Sequence, residues 1–196
     1  MKKELFRNEG CPVLLLIIID LFVIICQLLS KNCLWWDCAP KRDFSINELD
    51  LPIIFFPEDS QTRNLHYSYD DVSYEKAAIS QTSWNKGESI YIVRFYTSEN
   101  LAIKSYNYSS KYKFTSELED LSSYKEILDY QSDFADLSVI TCGFVASDCR
   151  CVYIARYQEF VILFSGTVGE KGMTQDNFIG VIDFIDNKME TLLSKE

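Results

Sequence analysis

The stretch 137–167, LSVITCGFVASDCRCVYIARYQEFVILFSGT, decides the fold that this sequence predicts. Two apolar segments, LSVITCGF and CRCVYIARY, flank the short connection VASD, and a third segment, EFVILFSGT, follows a tight turn at 157–159. Val, Ile, Tyr and Phe dominate all three segments, and these residues favour strands. The stretch therefore predicts three antiparallel strands in a meander.

The strongest helix signal follows this meander. Thr174 is a suitable N-cap for the segment QDNFIGVIDFIDNKMETLLSKE. Apolar residues recur there at the 3.6-residue spacing of one helix face: Phe178, Val181, Ile182, Ile185, Met189, Leu192 and Leu193. The sequence thus predicts a long amphipathic helix whose acidic residues, Asp183 and Asp186 included, face solvent.

A similar order of elements occurs earlier in the chain, over about 77–112. The turn NKGE, with Gly87 at a position able to take a positive φ, separates a strand that ends near Trp84 from the strand SIYIVRFYT. Ser98 caps a predicted helix, and an amphipathic helix is predicted within 116–130. We therefore predict an α+β domain: an antiparallel sheet with helices packed on one face.

Two of these segments carry a resemblance to known proteins. NKGESIYIVRFYTSENLA, and YIARYQEFVILFSGT before a long C-terminal helix, resemble the extracytoplasmic domains of many uncharacterised bacterial membrane-anchored proteins and lipoproteins. The layout of about 77–195 is also similar to the PsbP/Mog1-type sandwich. The resemblance implies a binding or assembly module rather than an enzyme, and it transfers no site residues.

The opening of the chain has a different character. The run PVLLLIIIDLFVIICQLLS at 12–30 is predicted to form a helix that, at about 1.5 Å per residue, just reaches across a hydrocarbon core of about 30 Å. Lys2, Lys3 and Arg7 precede the run, and Trp35 and Trp36 follow it at the depth of an aromatic belt. These features favour an uncleaved transmembrane helix. A cleaved signal peptide and a buried soluble helix are the alternatives.

The domain boundaries follow from this helix. We expect a cytoplasmic tail at 1–11, a transmembrane helix at 12–30, a tether at 31–57 that leads into the domain, and an extracytoplasmic α+β domain at 58–196. The Lys and Arg counts on the two sides of the helix are equal. A short basic N-terminus ahead of a first apolar segment usually stays inside, so the C-terminal domain is expected outside the cytoplasm. Within the tether, the run IIFF between Pro52 and Pro57 is predicted as a first strand or an edge piece.

Asp20 lies near the middle of the apolar run, where an ionised carboxylate costs about 2.5–3.5 kcal/mol on insertion scales. Gln27 follows seven residues later and lies on nearly the same helix face. One interpretation is that the apolar residues simply outweigh one acid. The other is a partner helix from another membrane-protein subunit, contacted by Asp20, Gln27, Trp35 and Trp36.

Five cysteines, an odd number, fall in the predicted exterior: Cys33, Cys38, Cys142, Cys149 and Cys151. A hairpin centred between 146 and 147 would place Cys142 opposite Cys151, whereas a longer loop would favour Cys149. A cross-strand disulfide is therefore predicted here, and Cys33 and Cys38 are close enough in sequence to form a second. Core thiols, or a zinc site made from Cys33, Cys38, Cys149 and Cys151, are the alternatives.

Charge and motifs exclude several function classes. The net charge is −10, and because residues 1–42 carry six basic and four acidic residues, residues 43–196 carry −12, which disfavours nucleic-acid binding. His66 is the one histidine, and no catalytic, cofactor or metal motif is present in the sequence. We therefore expect a non-catalytic binding or accessory subunit of a membrane assembly. The alternative is an anchored sensor, solute-binding domain or enzyme with a pocket between sheet and helices.

Overall fold

A computed structural model describes residues 17–25, 38–39, 46–67, 76–111, 125–145, 148–170 and 172–194. These residues form one α+β domain around a six-stranded antiparallel sheet, together with a helical segment at 17–25 that we call α1. The other elements, in chain order, are two 3-10 helices at Ile46–Leu49 and Ile53–Phe55, β1 Gln61–Tyr67, β2 Lys76–Trp84, β3 Gly87–Phe95, α2 Glu99–Ser109, α3 Lys125–Leu128, β4 Leu137–Val145, β5 Asp148–Tyr157, β6 Phe160–Thr167 and α4 Gln175–Leu193.

The sheet consists of two consecutive meanders joined at their last strands. Its order is β1-β2-β3-β6-β5-β4, so β3 and β6 pair in the centre while β1 and β4 form the two edges. The predicted meander over 137–167 is confirmed as β4, β5 and β6. Residue Val145 pairs with Asp148 around the first turn, and Gln158, with φ of 51°, forms part of the second.

Two segments at the start of the domain differ from the prediction. The run IIFF forms a 3-10 helix at Ile53–Phe55 rather than a strand, because Phe56 N–H donates to the Ile53 carbonyl and closes a tight turn. The first strand is instead the polar segment Gln61–Tyr67, which pairs along its whole length with β2. Pairing with a neighbouring strand therefore overrides the weak strand propensity of this segment.

Gly87 has a different role from the predicted one. The positive-φ residues among the described part of the chain are Gln158 and Gly169, so Gly87 does not need left-handed backbone. A Cβ atom at Gly87 would instead lie 2.7 Å from Nε1 of Trp84 and 3.0 Å from Cβ of Thr167. The hydrogen of glycine is what lets the Trp84 indole close over the start of β3.

The long C-terminal helix is confirmed, and it covers one face of the sheet. The Thr174 hydroxyl accepts a hydrogen bond from Asn177 N–H at 3.1 Å and caps α4. All seven residues of the predicted apolar face are buried. Phe178, at the N-terminal end of that face, contacts Phe164 of β6 with ring centroids 5.1 Å apart.

The prediction that the helices share one face of the sheet is wrong. In β5 and β6, alternate residues Tyr153, Ala155 and Ile162 pack under α4, while Val152, Ile154 and Val161 point to the other face and pack with α2. These two interior strands are therefore apolar on both faces, and each face needs a cover. The predicted cap of α2 is confirmed, since Ser98 Oγ accepts from Leu101 N–H at 3.3 Å.

The structure describes only the middle of the opening apolar run. Residues 17–25 are helical, and all nine side chains are exposed. Among the residues that the structure describes, no helix is both long enough and apolar enough to span a bilayer. The remainder of the predicted transmembrane helix 12–30, the tail 1–11 and most of the tether 31–57 lie outside the described residues.

Candidate functional site

A network of hydroxyl groups around one carboxylate is enclosed between the sheet and α4. Tyr157 OH donates to Asp186 Oδ1 at 2.6 Å, and Ser132 Oγ donates to the same oxygen at 2.7 Å. The hydroxyl of Tyr153 lies 2.9 Å from that of Tyr157 and extends the network under the helix. At the rim, Tyr130 OH donates to Asp183 Oδ1 at 2.5 Å. The network connects the segment before β4, the strand β5 and the helix α4.

Burial controls the protonation of this network. Desolvation raises the pKa of Asp186 above its ordinary value, and the nearby Asp183 and Asp133 carboxylates raise it further, while the hydrogen bonds from Tyr157 and Ser132 oppose the shift. Desolvation also raises the pKa of Tyr157, so this phenol remains a hydrogen-bond donor. The cluster can therefore hold a proton and fix three chain segments.

The interpretation of Asp186 as a solvent-facing residue is wrong, since only 8 % of it is exposed. The signal that could have found it is spacing. Asp186 follows Ile182 by four residues and precedes Met189 by three, which places it on the apolar face of α4. Asp183 is exposed, as predicted.

We expect a pH-dependent stability that Asp186→Asn removes. Because the folded state holds the Asp186 proton more tightly than the unfolded state, the stabilisation is complete below pH ~4 and is lost as the pH rises through the folded-state pKa. Asparagine keeps an acceptor oxygen for Tyr157 and Ser132 but carries no charge. Urea unfolding from about pH 4 to 7 should give a flatter profile for Asp186→Asn than for the parent.

Two further variants make this measurement specific. Asp186→Ala removes the acceptor as well, so it should lower the free energy of unfolding by ~1–3 kcal/mol at every pH in the range. Glu190→Gln, an exposed residue of the same helix that does not contribute to the pKa shift of Asp186, should keep the parent's pH profile. A parent profile identical to that of Asp186→Asn would show that Asp186 does not titrate in this range.

A second polar cluster lies on the α2 face of the sheet, near its end. Arg150 Nη2 and Glu88 Oε1 are 2.7 Å apart, and Gln81 donates to the other Glu88 oxygen at 3.0 Å. The hydrogen bond from Arg150 lowers the pKa of Glu88, and burial partly opposes it. Because both side chains remain partly exposed, this ion pair adds little to stability and mainly fixes the register of β2, β3 and β5.

Of the predicted membrane contacts, the structure describes Asp20 alone. It lies in α1 with an exposed side chain, surrounded by eight exposed apolar residues. Gln27, Trp35 and Trp36 lie outside the described residues. Their predicted convergence with Asp20 on one surface stays a prediction.

The predicted hairpin disulfide is present between Cys142 and Cys151. The register of β4 and β5 places these residues directly opposite each other, as a hairpin centred between 146 and 147 requires. Cys38 is also disulfide-bonded, to a cysteine outside the described residues, where the predicted partner Cys33 also lies. Cys149 is a buried thiol.

The zinc alternative does not fit these bonds. Cys38 and Cys151 are both in disulfides, so they cannot serve as thiolate ligands. Within the described ranges, no group of three or more His, Cys, Asp and Glu side chains is arranged to hold a metal ion.

Comparisons with known proteins do not add an assignment to this geometry. A scan against protein-family models and a search of curated proteins both find no match for the chain. The resemblance to the PsbP/Mog1-type sandwich therefore stays a prediction, and functional arguments rest on the residues themselves.

Proposed function

We propose that this chain is a single-pass membrane protein in which the opening apolar helix anchors an extracytoplasmic, non-catalytic α+β domain that binds partners as an accessory subunit of a membrane assembly. The observation that carries the proposal is the exposed apolar surface of α1. Its eight large apolar side chains are each between 46 % and 66 % exposed, on every side of the helix. A helix that is apolar all round needs an apolar environment, and a bilayer supplies one.

The disulfides support the proposed location of the domain. Structural disulfides form and persist in oxidising compartments, which lie outside the cytoplasm. The domain contains Cys142–Cys151, and Cys38 on its N-terminal side is also bonded. The charge of −12 over residues 43–196, which follows from the total of −10 and the +2 of residues 1–42, disfavours close contact with anionic lipid.

The packing of the domain supports a binding role rather than a catalytic one. Large side chains such as Tyr153, Phe164, Phe178 and Met189 are fully buried and fill the layer between sheet and α4. No observation among the described residues favours the alternative of a sensor or enzyme with a pocket in that layer. The proposed PsbP/Mog1-type resemblance would also imply a binding or assembly module.

Membrane retention tests the proposal. The full chain, expressed in cells, should resist carbonate extraction and float with membranes. The double variant Ile18→Lys/Phe22→Lys should move to the soluble fraction, because each lysine costs about 2.5–3.5 kcal/mol near the centre of a membrane helix. As a matched control, Ile53→Lys/Ile54→Lys changes two exposed apolar residues of the domain and should leave retention unchanged.

Two outcomes would contradict the proposal that the opening helix anchors the chain in the membrane. One is a parent protein recovered in the soluble fraction. The other is a mature N-terminus beyond Trp36, which would identify the opening run as a cleaved signal peptide.

Asp20→Leu should reduce recovery of a membrane partner at least tenfold. The expected partner is a helix that donates a hydrogen bond or carries a cation at the depth of Asp20, and leucine can satisfy neither. The measurement is a native pull-down in mild detergent with mass spectrometry of the co-purified proteins. Asp20→Asn should retain part of the recovery, because an amide still forms a hydrogen bond across helices.

Ile19→Leu, the neighbouring apolar exchange, serves as the control and should not change recovery. Equal recovery for the parent and Asp20→Leu would mean that the membrane only tolerates the carboxylate. The anchor itself would stand in that case.

A further inference from the structure

The two edges of the sheet are built differently. The edge strand β1 begins with four exposed polar residues, Gln61 to Asn64, and Arg63 is charged. The opposite edge strand, β4, has the sequence LSVITCGFV, with no charged residue and no proline over nine residues. Leu137 and Phe144, near its ends, are 41 % and 40 % exposed. Proteins normally protect sheet edges with charges, prolines or bulges, and β4 has none of these, since its register with β5 is continuous.

The register shows which backbone groups of β4 point outward. The Cα atoms of Cys142 and Cys151 are 4.1 Å apart, which is the close spacing of a non-hydrogen-bonded pair. Residues alternate along an antiparallel pair, so Thr141 bonds to β5 through its backbone, while Ser138, Ile140 and Cys142 direct their N–H and C=O groups to the outer edge. Among the strands that the structure describes, none pairs with this edge.

A buried hydroxyl lies at the centre of the same strand. Thr141 Oγ1 is inaccessible to solvent and has no hydrogen-bond partner among the described residues. The other edge shows how such a group is satisfied. Thr62 and Thr82 lie directly opposite each other on β1 and β2, with their hydroxyl oxygens 2.9 Å apart. Threonines that face each other across antiparallel strands form a stabilising pair.

We propose that β4 pairs antiparallel with β4 of a second copy of this chain, with Thr141 opposite Thr141 across a two-fold axis. This register makes Thr141 a non-hydrogen-bonded pair, so rotation about χ1 lets the two hydroxyls bond to each other. It also places large residues beside small ones, since Val139 of each copy lies opposite Gly143 of the other. No like charges meet within the paired strands, although each chain carries −10.

The position of the residues that precede β1 favours a second copy of the chain as the partner of β4. The 3-10 helix Ile53–Phe55, which leads into the domain, packs on the α4 face, where Phe55 contacts Phe184 with ring centroids 6.0 Å apart. A two-fold axis perpendicular to the sheet keeps the α4 faces of both copies on one side. The described residues that lead into the domain then lie on the same side in both copies, which suits two anchors in one bilayer. This last argument rests on the proposed membrane anchor, whereas the strand pairing does not.

A charge exchange at Thr141 tests the pairing. The full-length parent in detergent should sediment as a concentration-dependent dimer. Thr141→Lys and Thr141→Glu should each weaken dimerisation by roughly fivefold or more, because like charges then meet at the axis. A one-to-one mixture of the two variants should restore the dimer. Thr62→Lys, the same exchange on the opposite edge, is the matched control and should dimerise like the parent.

Two further measurements separate pairing from folding. Melting temperatures establish that the Thr141 variants are folded, and Ser138→Pro should also weaken the dimer, since it removes an outward N–H and no bond to β5. A monomeric parent would overturn the proposal. So would a dimer that both Thr141 variants leave unchanged, or a parent that pairs through β4 with a different protein. If the full chain were not retained in membranes, the proposed membrane anchor would be contradicted, and the dimerisation experiment would still test the strand pairing.

Discussion

Phe178→Ala is expected to lower the free energy of unfolding by about 3–5 kcal/mol. Phe178 is 0 % exposed and lies on the first turn of α4, against Phe164 of β6. Truncation removes the transfer free energy of the ring and leaves a cavity between the helix and the sheet, which rigid strands cannot collapse to fill. Urea unfolding followed by circular dichroism measures the change directly.

Phe184→Ala provides the matched control on the same helix. Phe184 is only partly buried, in contact with Phe55 and with the Lys188 ammonium group 5.5 Å from its ring centroid. The same truncation there should cost clearly less, because solvent fills the space that the ring leaves. Equal losses for the two variants would contradict the assignment of the layer between α4 and β6 as the main core.

Removing the hairpin disulfide is expected to cost about 2–4 kcal/mol. The double variant Cys142→Ala/Cys151→Ala releases a cross-link over a sequence separation of 9 and so increases the conformational freedom of the unfolded chain. It also removes two buried side chains from the α4 face. The free energy of unfolding in urea, measured without reductant, should show the loss, and parent protein in reductant should lose at least as much, because reductant also breaks the disulfide of Cys38.

Cys149→Ala tests whether the effect belongs to the bond. Cys149 is buried two residues before Cys151 on the same strand, so its truncation removes a buried sulfur without breaking the Cys142–Cys151 bond and should cost less. Peptide mapping of unreduced parent protein should recover Cys142 and Cys151 in one linked fragment. Alkylation of both residues in that material would contradict the assigned pairing.

Local patterns in the sequence predicted the elements whose side chains have a strong period or a strong cap. The three strands of 137–167 and the apolar face of α4 were predicted because β-branched and aromatic residues, or a 3.6-residue spacing, dominate those segments. The short VASD connection predicted a cross-strand disulfide from Cys142 but left both Cys149 and Cys151 as partners, and the register of β4 and β5 selects Cys151. The caps Ser98 and Thr174 were also correct.

Two of the errors have a common cause, since they depend on neighbours that are distant in sequence. Gln61–Tyr67 is too polar to be recognised as a strand, and it becomes one because β2 offers a partner edge. Placement of α2 and α4 on opposite faces depends on β5 and β6 lying in the interior of the sheet. The continuous apolar character of those two strands was the available signal. Asp186 was assigned to solvent because its type outweighed its position on the helix.

The candidate functional residues also fall into two groups: those that the sequence reveals and those that only the structure reveals. Asp20 and the cysteines are visible in the sequence because each is unusual in its surroundings. The Tyr157–Asp186–Ser132 network and the hydroxyl of Thr141 are ordinary residues in the sequence. Their significance comes from burial and hydrogen bonding, which only the assembled sheet and helices define.

The central pairing of β3 with β6 has a consequence for biosynthesis. Phe95 ends β3, and Thr167, which ends β6, is synthesised 72 residues later. At about 5–20 residues per second, the ribosome needs roughly 4–14 s to supply the partner strand. During that interval the first meander presents β3, which contains Ile, Val and Tyr, as an unpaired edge at which two newly made chains can associate.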